Sequence, residues 1–184
     1  MYIYKENIET DRVNQDLLQT ILEPYKEECR YLKNAEFNFP ESINFPEKLK
    51  NNDRVIWYLQ GDFAIPESCY IDDTGHFNSV EFNICYNQLF YVLIGYLVKH
   101  KLWDVMGNWD WETYKHYQLS NFLIVKFASK FKKPINSDKF HGTLSINKYS
   151  ARKNLIILKT SCSFDDENEG WSEGDVTIAV LNNV

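Results

Sequence analysis

The stretch from Ser79 to about His100 limits the possible folds more than any other part of the sequence. It is rich in aromatic and aliphatic residues, contains no proline and holds few polar side chains. Strands in globular proteins rarely exceed about 10 residues, so this stretch is too long to be one strand. It therefore predicts one long helix, and because apolar residues occupy every face, we expect that helix to be buried all round.

Alternating apolar and polar residues predict strands on both sides of this helix. Two candidate strands precede it, at 31–39 and 53–60, with Pro40 and Pro46 in the loop between them. Four more candidates follow, and we expect them at residues 122–132, 139–147, 153–163 and 175–181. In the first of these four, apolar residues alternate with lysines, the apolar ones being Val125, Phe127 and Phe131.

Two short helices complete the pattern. Residues 12–24 have apolar side chains near helical spacing, and Pro24 helps to end that helix because proline disfavours helical backbone before it. A second short helix is expected near 110–117, within a tryptophan-rich insert.

The order of these elements predicts an α+β fold. Two strands, one long buried helix and a run of antiparallel strands fit a sheet that wraps around a central helix, which is the hot-dog architecture. A generic α+β domain is the alternative that the pattern leaves open. A chain of 184 residues has the length of one domain, so we expect a single domain over 1–184.

Composition excludes several classes of protein. The chain is 44% hydrophobic and 16% aromatic, which excludes a disordered chain. Its formal net charge of -6 makes nucleic acid an unfavourable partner. The longest apolar run, Leu89 to Val98, is about half of the ~20 residues that a membrane-spanning helix needs, so no membrane span is expected.

The cysteines and histidines show no spacing typical of a metal site. Four cysteines occur without a CxxC pair, and the beginning of the chain lacks the apolar segment of a signal peptide. We therefore expect a cytoplasmic protein with no metal and no cofactor. All four thiols are expected to be free, namely Cys29, Cys69, Cys85 and Cys162.

The junction that leads into the long helix is the strongest candidate site. Helix N-termini present unpaired N–H groups, which favour a developing oxyanion, and Gly75 would allow close backbone approach. Asn78, followed by Glu81 three residues later, also has the spacing of a capping box. The two interpretations are compatible, because a capped helix can still present its other N–H groups.

Other polar residues near this helix leave alternatives open. Asn83 and Asn87 share a helix face beside Gln88, and buried amides either bind strand backbone or line a pocket. Arg30 and a set of lysines offer positive charge for a phosphopantetheine arm or an acidic carrier protein. Alternatively, they are solvated side chains on a strand face without a binding role. These lysines are Lys126, Lys130, Lys132 and Lys133.

Several stretches resemble the FcoT-like thioesterases, a bacterial hot-dog family. The similarity runs from about 19 to 182, the expected core of the domain. The stretches that carry it are Ile21-Leu22-Glu23-Pro24-Tyr25, Cys29-Arg30-Tyr31-Leu32, Glu67-Ser68-Cys69-Tyr70-Ile71, Thr74-Gly75-His76-Phe77-Asn78, Val80-Glu81, Asn87-Gln88-Leu89, Gln118-Leu119-Ser120, Phe131-Lys132-Lys133-Pro134 and Val180-Leu181-Asn182. The insert from Lys99 to Tyr117 departs most from the family pattern, which leaves acyl chain-length specificity open.

The resemblance implies an activity and a set of residues. Family members act on acyl thioesters of an acyl carrier protein or coenzyme A, usually as dimers. Members from isonitrile lipopeptide clusters add glycine to the β-carbon of a (2E)-enoyl-acyl carrier protein, whereas others are described as thioesterases. The residues implied as catalytic are Tyr25, Tyr70, Asn78 and Asn87. We expect substrate contacts from Gly75, His76, Gln88, Arg30 and Lys126, and a non-catalytic acyl-binding module is a third possibility.

Overall fold

The computed structural model describes residues 9–39, 56–72 and 74–183. In chain order, the helices and strands of these ranges are β1 (Glu9–Arg12), α1 (Gln15–Leu22), β2 (Leu32–Phe39), β3 (Trp57–Phe63), α2 (Ser79–Lys99), α3 (Trp111–Tyr117), β4 (Phe122–Lys133), β5 (Phe140–Arg152), β6 (Leu155–Asp165) and β7 (Trp171–Leu181). Short 3₁₀ turns occupy Glu27–Cys29 and Asp104–Met106. The loop predicted at Pro40 and Pro46 lies outside the described residues.

The strands form one sheet with the order β1-β2-β3-β5-β6-β7-β4. Every neighbouring pair is antiparallel. Helix α2 packs across one face of this sheet and contacts β2, β3 and β5 near the middle. The predicted α+β hot-dog architecture, an antiparallel sheet around one long helix, is therefore confirmed.

The C-terminal half of α2 is buried all round, as predicted. Every side chain from Val92 to Val98 is buried. Gly95 allows the close packing, because a Cβ there would lie 2.8 Å from the Ile21 side chain and 3.0 Å from the Tyr114 ring. The N-terminal half differs, since part of its surface remains open to solvent.

An aromatic cluster fixes the position at which α2 begins. Phe77, the residue before the helix cap, is 2% exposed. Its ring centroid lies 4.8 Å from Phe140 and 5.2 Å from Phe164, while Phe82 in the first turn lies 4.9 Å from Phe164. Because aromatic burial is strongly favourable, these contacts anchor the helix start against the sheet.

The structure corrects two details of the strand pattern. Residues 9–12 form the edge strand β1, which the sequence did not predict, so the first helix begins only at Gln15. In β4, Val125 was expected to share a face with Phe127, but Val125 is 63% exposed whereas Phe127 is half-buried. A bulge between Ile124 and Lys126 shifts the register there, and one extra residue reverses the alternation of faces.

The prediction of four free thiols is wrong. Cys29 and Cys69 form a disulfide, with Cα atoms 5.5 Å apart. Cys85 and Cys162 are free and buried. The two paired cysteines are 40 residues apart, and no local sequence pattern indicates a pairing over that distance.

Candidate active site

A capping box begins α2, as the sequence spacing predicted. The Oδ1 atom of Asn78 accepts hydrogen bonds from the N–H groups of Val80, at 2.9 Å, and Glu81, at 3.2 Å. The Glu81 carboxylate accepts the Asn78 N–H at 3.1 Å. Glu81 is only 3% exposed, so its carboxylate serves the helix start.

Tyr70 completes the set of donors to this amide. Its phenol donates to Asn78 Oδ1 at 2.8 Å, so one oxygen accepts three hydrogen bonds. Two of the donors are backbone N–H groups, which need an acceptor. The amide oxygen of Asn78, and not its nitrogen, must therefore face them. The Asn78 Nδ2 group is buried and finds no hydrogen-bond partner within the described part of the chain.

The cap leaves few free donors at the helix start. It uses the N–H groups of Asn78, Val80 and Glu81, so Ser79 carries the remaining first-turn N–H. The Asn78 amide adds two N–H bonds. A buried donor without an acceptor costs about 1–3 kcal/mol, so this position favours an incoming oxygen atom.

An open stripe runs along α2 from this point. Val80 is exposed, and four half-buried residues continue the same face at helical spacing, namely Asn83, Ile84, Asn87 and Tyr91. Asn87 donates from Nδ2 to Asn83 Oδ1 at 2.9 Å. The stripe therefore offers amide and apolar surface side by side on a helix that is otherwise buried.

Asn78 and Asn87 lie at different places on this stripe. Nine residues separate them, which corresponds to about 13 Å along a helix axis. Two side chains that far apart are not positioned to hold one oxygen atom. They are suited to different parts of an extended substrate.

Half-buried phenols occupy the far end of the stripe. The ring centroid of Tyr25 lies 6.4 Å from that of Tyr91. Burial raises the pKa of Tyr25 far above its ordinary value, and the nearby Tyr91 and Cys85 raise it further. Burial also raises the pKa of Tyr91. Both phenols are therefore neutral hydrogen-bond donors at physiological pH.

Arg30 is held beside Tyr25. Its Nε donates to the Tyr25 carbonyl oxygen at 3.0 Å, and Nη2 donates to the Glu23 carbonyl oxygen at 3.2 Å. The guanidinium thus binds carbonyl groups that follow the end of α1, a favourable position for a cation. The structure therefore places the Arg30 side chain against the backbone of Tyr25.

Two groups that position Tyr70 were not predicted. Tyr31 is fully buried, and its phenol oxygen accepts the Cys69 N–H at 3.0 Å. The disulfide joins Cys69 to Cys29. Tyr31 lies at the start of a strand pattern, which gave no signal for this contact 38 residues along the chain.

His76 and Gly75 lie in the exposed turn before the cap. His76 Nδ1 is 3.0 Å from the Thr74 carbonyl oxygen, and the Thr74 hydroxyl donates to the His76 carbonyl at 2.9 Å. Gly75 has φ +75°, which favours glycine, and a Cβ there would meet nothing within 4 Å. The turn therefore leaves room beside the helix start.

Comparison with known proteins assigns the family. Residues 20–180 match the family model of the FcoT-like thioesterase domain. The chain belongs to this family. A Streptomyces coeruleorubidus protein named (2E)-enoyl-ACP glycyltransferase, ACP being acyl carrier protein, is 34% identical over 92% of this chain and 98% of its own length. A Mycobacterium tuberculosis protein of the same name is 37% identical over 92% of this chain and 88% of its own.

Solved structures show similarity at low sequence identity. A thioesterase from Thermus thermophilus, solved with coenzyme A and zinc, has a TM-score of 0.42 and 12% identity over 72% of this chain and 83% of that chain. A putative thioesterase from Ralstonia eutropha has a TM-score of 0.44 and 8% identity over 67% of this chain and 76% of that chain.

Two predicted substrate contacts of this FcoT-like protein lie away from the open stripe. Gln88 is fully buried, its Oε1 accepts the Leu32 N–H at 2.9 Å, and its Nε2 donates to the Cys29 carbonyl at 2.6 Å. Lys126 lies on the outer face of the sheet, because Phe127 beside it faces α2 and strand neighbours point to opposite sides. Neither residue therefore lies on the stripe where we expect the substrate.

Large concavities lie elsewhere on this FcoT-like domain. Two open depressions of about 550 and 530 Å³ occupy the outer face of the sheet, and their linings contain none of the residues implied as catalytic or expected to contact substrate. In the described ranges no cluster of His, Cys, Asp or Glu side chains could hold a metal. No helix within those ranges is long and apolar enough to cross a membrane.

Proposed function

We propose that this FcoT-like protein adds glycine to the β-carbon of a (2E)-enoyl thioester carried on an acyl carrier protein, as a step of isonitrile lipopeptide biosynthesis. The observation that carries the proposal is the Asn78 amide at the start of α2. Tyr70 donates a hydrogen bond to its oxygen, and its buried Nδ2 has no partner among the described residues. Relatives at 34% and 37% identity that are named for this reaction support the choice of substrate.

The reaction needs a place for negative charge on the thioester oxygen. The glycine nitrogen bonds to the β-carbon, and the π electrons of the double bond move to form an enolate. The α-carbon then takes a proton, and the new ammonium group loses one. The Asn78 amide and the Ser79 N–H would donate to the enolate oxygen, aided by the positive end of the helix dipole.

Tyrosines would orient the amine and relay protons. The Tyr70 proton is committed to Asn78 Oδ1, so its oxygen would act as an acceptor for the glycine ammonium group. Tyr25 stays neutral and would donate farther along the stripe, near Asn87. His76 is exposed and next to the cap, where it would take the proton that the amine releases.

The glycine carboxylate would meet a cation. Of the two cations expected to contact substrate, Arg30 is held next to Tyr25, whereas Lys126 points to the other face of the sheet. Arg30 is therefore the one we assign. Its guanidinium has further N–H donors besides the two that bind these carbonyl groups, and they suit a carboxylate.

Thioester hydrolysis is the competing activity. It needs water activated by a base, or a covalent nucleophile. The buried carboxylate nearest the helix start, Glu81, is engaged in the cap. Conjugate addition requires less of the protein, because a deprotonated amine is already a nucleophile.

Intact-mass measurement decides between addition and hydrolysis. The purified protein is incubated with a (2E)-enoyl-acyl carrier protein, with and without glycine, while free thiol is followed in parallel. We expect the carrier to gain the mass of glycine only when glycine is present, with little thiol release. Thiol released equally without glycine would refute the proposal and establish a thioesterase.

We also propose a homodimer formed through β4. This edge strand has β7 on one side and no strand on the other among the described residues. Large apolar side chains on it are 40–63% exposed, namely Leu123, Ile124, Val125 and Phe131. Exposed apolar edge strands favour pairing with a second copy around a two-fold axis.

Charge placed on this edge should separate the two copies. Val125→Glu is expected to convert a species of twice the chain mass into monomer in light-scattering chromatography, because it buries a charge in the paired edge. Tyr149→Glu on β5 is the matched control, since Tyr149 is 41% exposed but lies away from β4. Dissociation by both variants, or by neither, would contradict the assigned interface.

The remaining assignments follow from the family. We propose a single domain over 1–184 in the cytoplasm, acting without a cofactor and without nucleic acid. The thioester carrier is an acyl carrier protein or, alternatively, coenzyme A. Carrying out the mass measurement with both carriers distinguishes them.

A further inference from the structure

We propose that the Cys29–Cys69 disulfide positions Tyr70 at the start of α2, so that reducing this bond lowers the activity of the site. The inference rests on the proposed function, in which Tyr70 pins the Asn78 amide. Cys29 and Cys69 are positioning residues in this scheme, because they act through Tyr70 and do not touch substrate.

The contacts around the disulfide form a closed ring. Gln88 of α2 donates to the Cys29 carbonyl at 2.6 Å, and Cys29 is bonded to Cys69. Tyr70 follows Cys69 in the chain and donates to Asn78 at 2.8 Å. Asn78 caps the same helix that carries Gln88, so the ring begins and ends on α2.

The ring covers one face of the helix. Asn78, Glu81, Cys85 and Gln88 are spaced by three, four and three residues, which places them on one side of α2. The last three of these are at most 3% exposed. The adjoining stripe that begins at Val80 is open. The helix contacts of the ring therefore lie on this sealed face, next to the candidate substrate surface.

Non-covalent contacts alone hold Tyr70 weakly. Its side chain is 46% exposed, so water competes for the hydrogen bond to Asn78. The hydrogen bond from the Cys69 N–H to Tyr31 and the packing of Cys69 against the core also hold this segment. Without the disulfide, the segment would keep that hydrogen bond but lose its covalent link to the anchored Cys29.

A dithiol can open the ring by exchange. Its thiolate attacks one sulfur of the pair and forms a mixed disulfide, and its second thiol then displaces the protein sulfur. Two electrons and two protons pass to Cys29 and Cys69, while the dithiol becomes a disulfide. The site thereby gains a sensitivity to the thiol–disulfide balance around it.

Activity in the oxidised and reduced forms tests the proposal. Glycine addition is measured on wild type with and without a dithiol, and on the Cys29→Ala, Cys69→Ala double variant, at a temperature where all remain folded. We expect kcat/KM to fall about 3- to 10-fold on reduction and in the double variant, the range for losing one hydrogen bond. Cys162→Ala, which leaves the disulfide intact, should respond to the dithiol like wild type.

A second background separates positioning from general loosening. Tyr70→Phe lacks the hydroxyl that the disulfide positions, so its lower activity should not fall further on reduction. An equal fold-loss in Tyr70→Phe and wild type would overturn the proposal. So would equal activity of oxidised and reduced wild type, or four alkylatable thiols after treatment with an oxidant.

One readout does not depend on the reaction. Amide hydrogen exchange of residues 68–70 should accelerate on reduction in the absence of any substrate. If the protein attaches glycine to the enoyl group on neither carrier, the proposed function fails, but the exchange result still tests the role of the disulfide. Unchanged exchange would overturn the positioning role even if the enzyme is active.

Discussion

Replacing Asn78 with aspartate is expected to lower kcat by about 100- to 1,000-fold, the usual effect of removing one oxyanion donor. The variant should remain folded, with some loss of stability because the second aspartate oxygen is buried near the Glu81 carboxylate. An aspartate oxygen can still accept the N–H groups of Val80 and Glu81 and the Tyr70 hydroxyl, and its charge suits a helix N-terminus. The change therefore removes the Nδ2 donor and leaves the cap in place.

The same substitution elsewhere in the chain provides the control. Asn14 is the N-cap of α1, where its side chain accepts the Asp16 N–H at 2.7 Å, and it lies away from the candidate site. Asn14→Asp should leave both kcat and the unfolding midpoint near wild type. Steady-state kinetics and thermal unfolding of the two variants make the comparison, and full activity of Asn78→Asp would remove Asn78 from its assigned role.

Local sequence patterns predicted the parts of this site that are local in the structure. The length and apolar composition of 79–100 predicted α2, and the spacing of Asn78 and Glu81 predicted the capping box that the structure shows. Both features depend on contacts between residues three or four positions apart. Such contacts leave a direct trace in the order of residues.

Long-range contacts left no such trace. The hydrogen bond between Tyr31 and Cys69 and the disulfide between Cys29 and Cys69 join segments about 40 residues apart. Periodicity identified Tyr31 only as part of a strand. The sequence did not predict the bulge at Val125 for a related reason. The position at which β4 accommodates an extra residue depends on its pairing with β7, a strand far away in the sequence.

The two faces of α2 could not be assigned from sequence. Asn87 and Gln88 are adjacent polar residues on a helix predicted to be buried, and either could face substrate or strand backbone. In the structure Asn87 lies on the open stripe, while Gln88 turns under β2 and the Cys29 segment. One residue of rotation, about 100° on a helix, thus separates a candidate catalytic side chain from a structural one.

Gln88→Met is expected to lower the free energy of unfolding by about 2–5 kcal/mol, because it leaves one buried and one half-buried backbone group without partners. The Leu32 N–H would lose its acceptor, and the Cys29 carbonyl would lose its donor. Methionine has a similar shape, so little of the effect would come from a cavity. Urea unfolding measures the change.

Gln60→Met is the matched control, since Gln60 is an exposed glutamine on β3, and substitutions of that kind usually change stability by less than about 0.5 kcal/mol. A structural Gln88 predicts a lower urea midpoint in Gln88→Met alone, with KM for the enoyl thioester close to wild type in the folded enzyme. A substrate-binding Gln88 predicts the opposite, a raised KM at unchanged stability. That result would mean that the ring from Asn78 to Gln88 opens in solution and that the sealed face of α2 also binds the acyl chain.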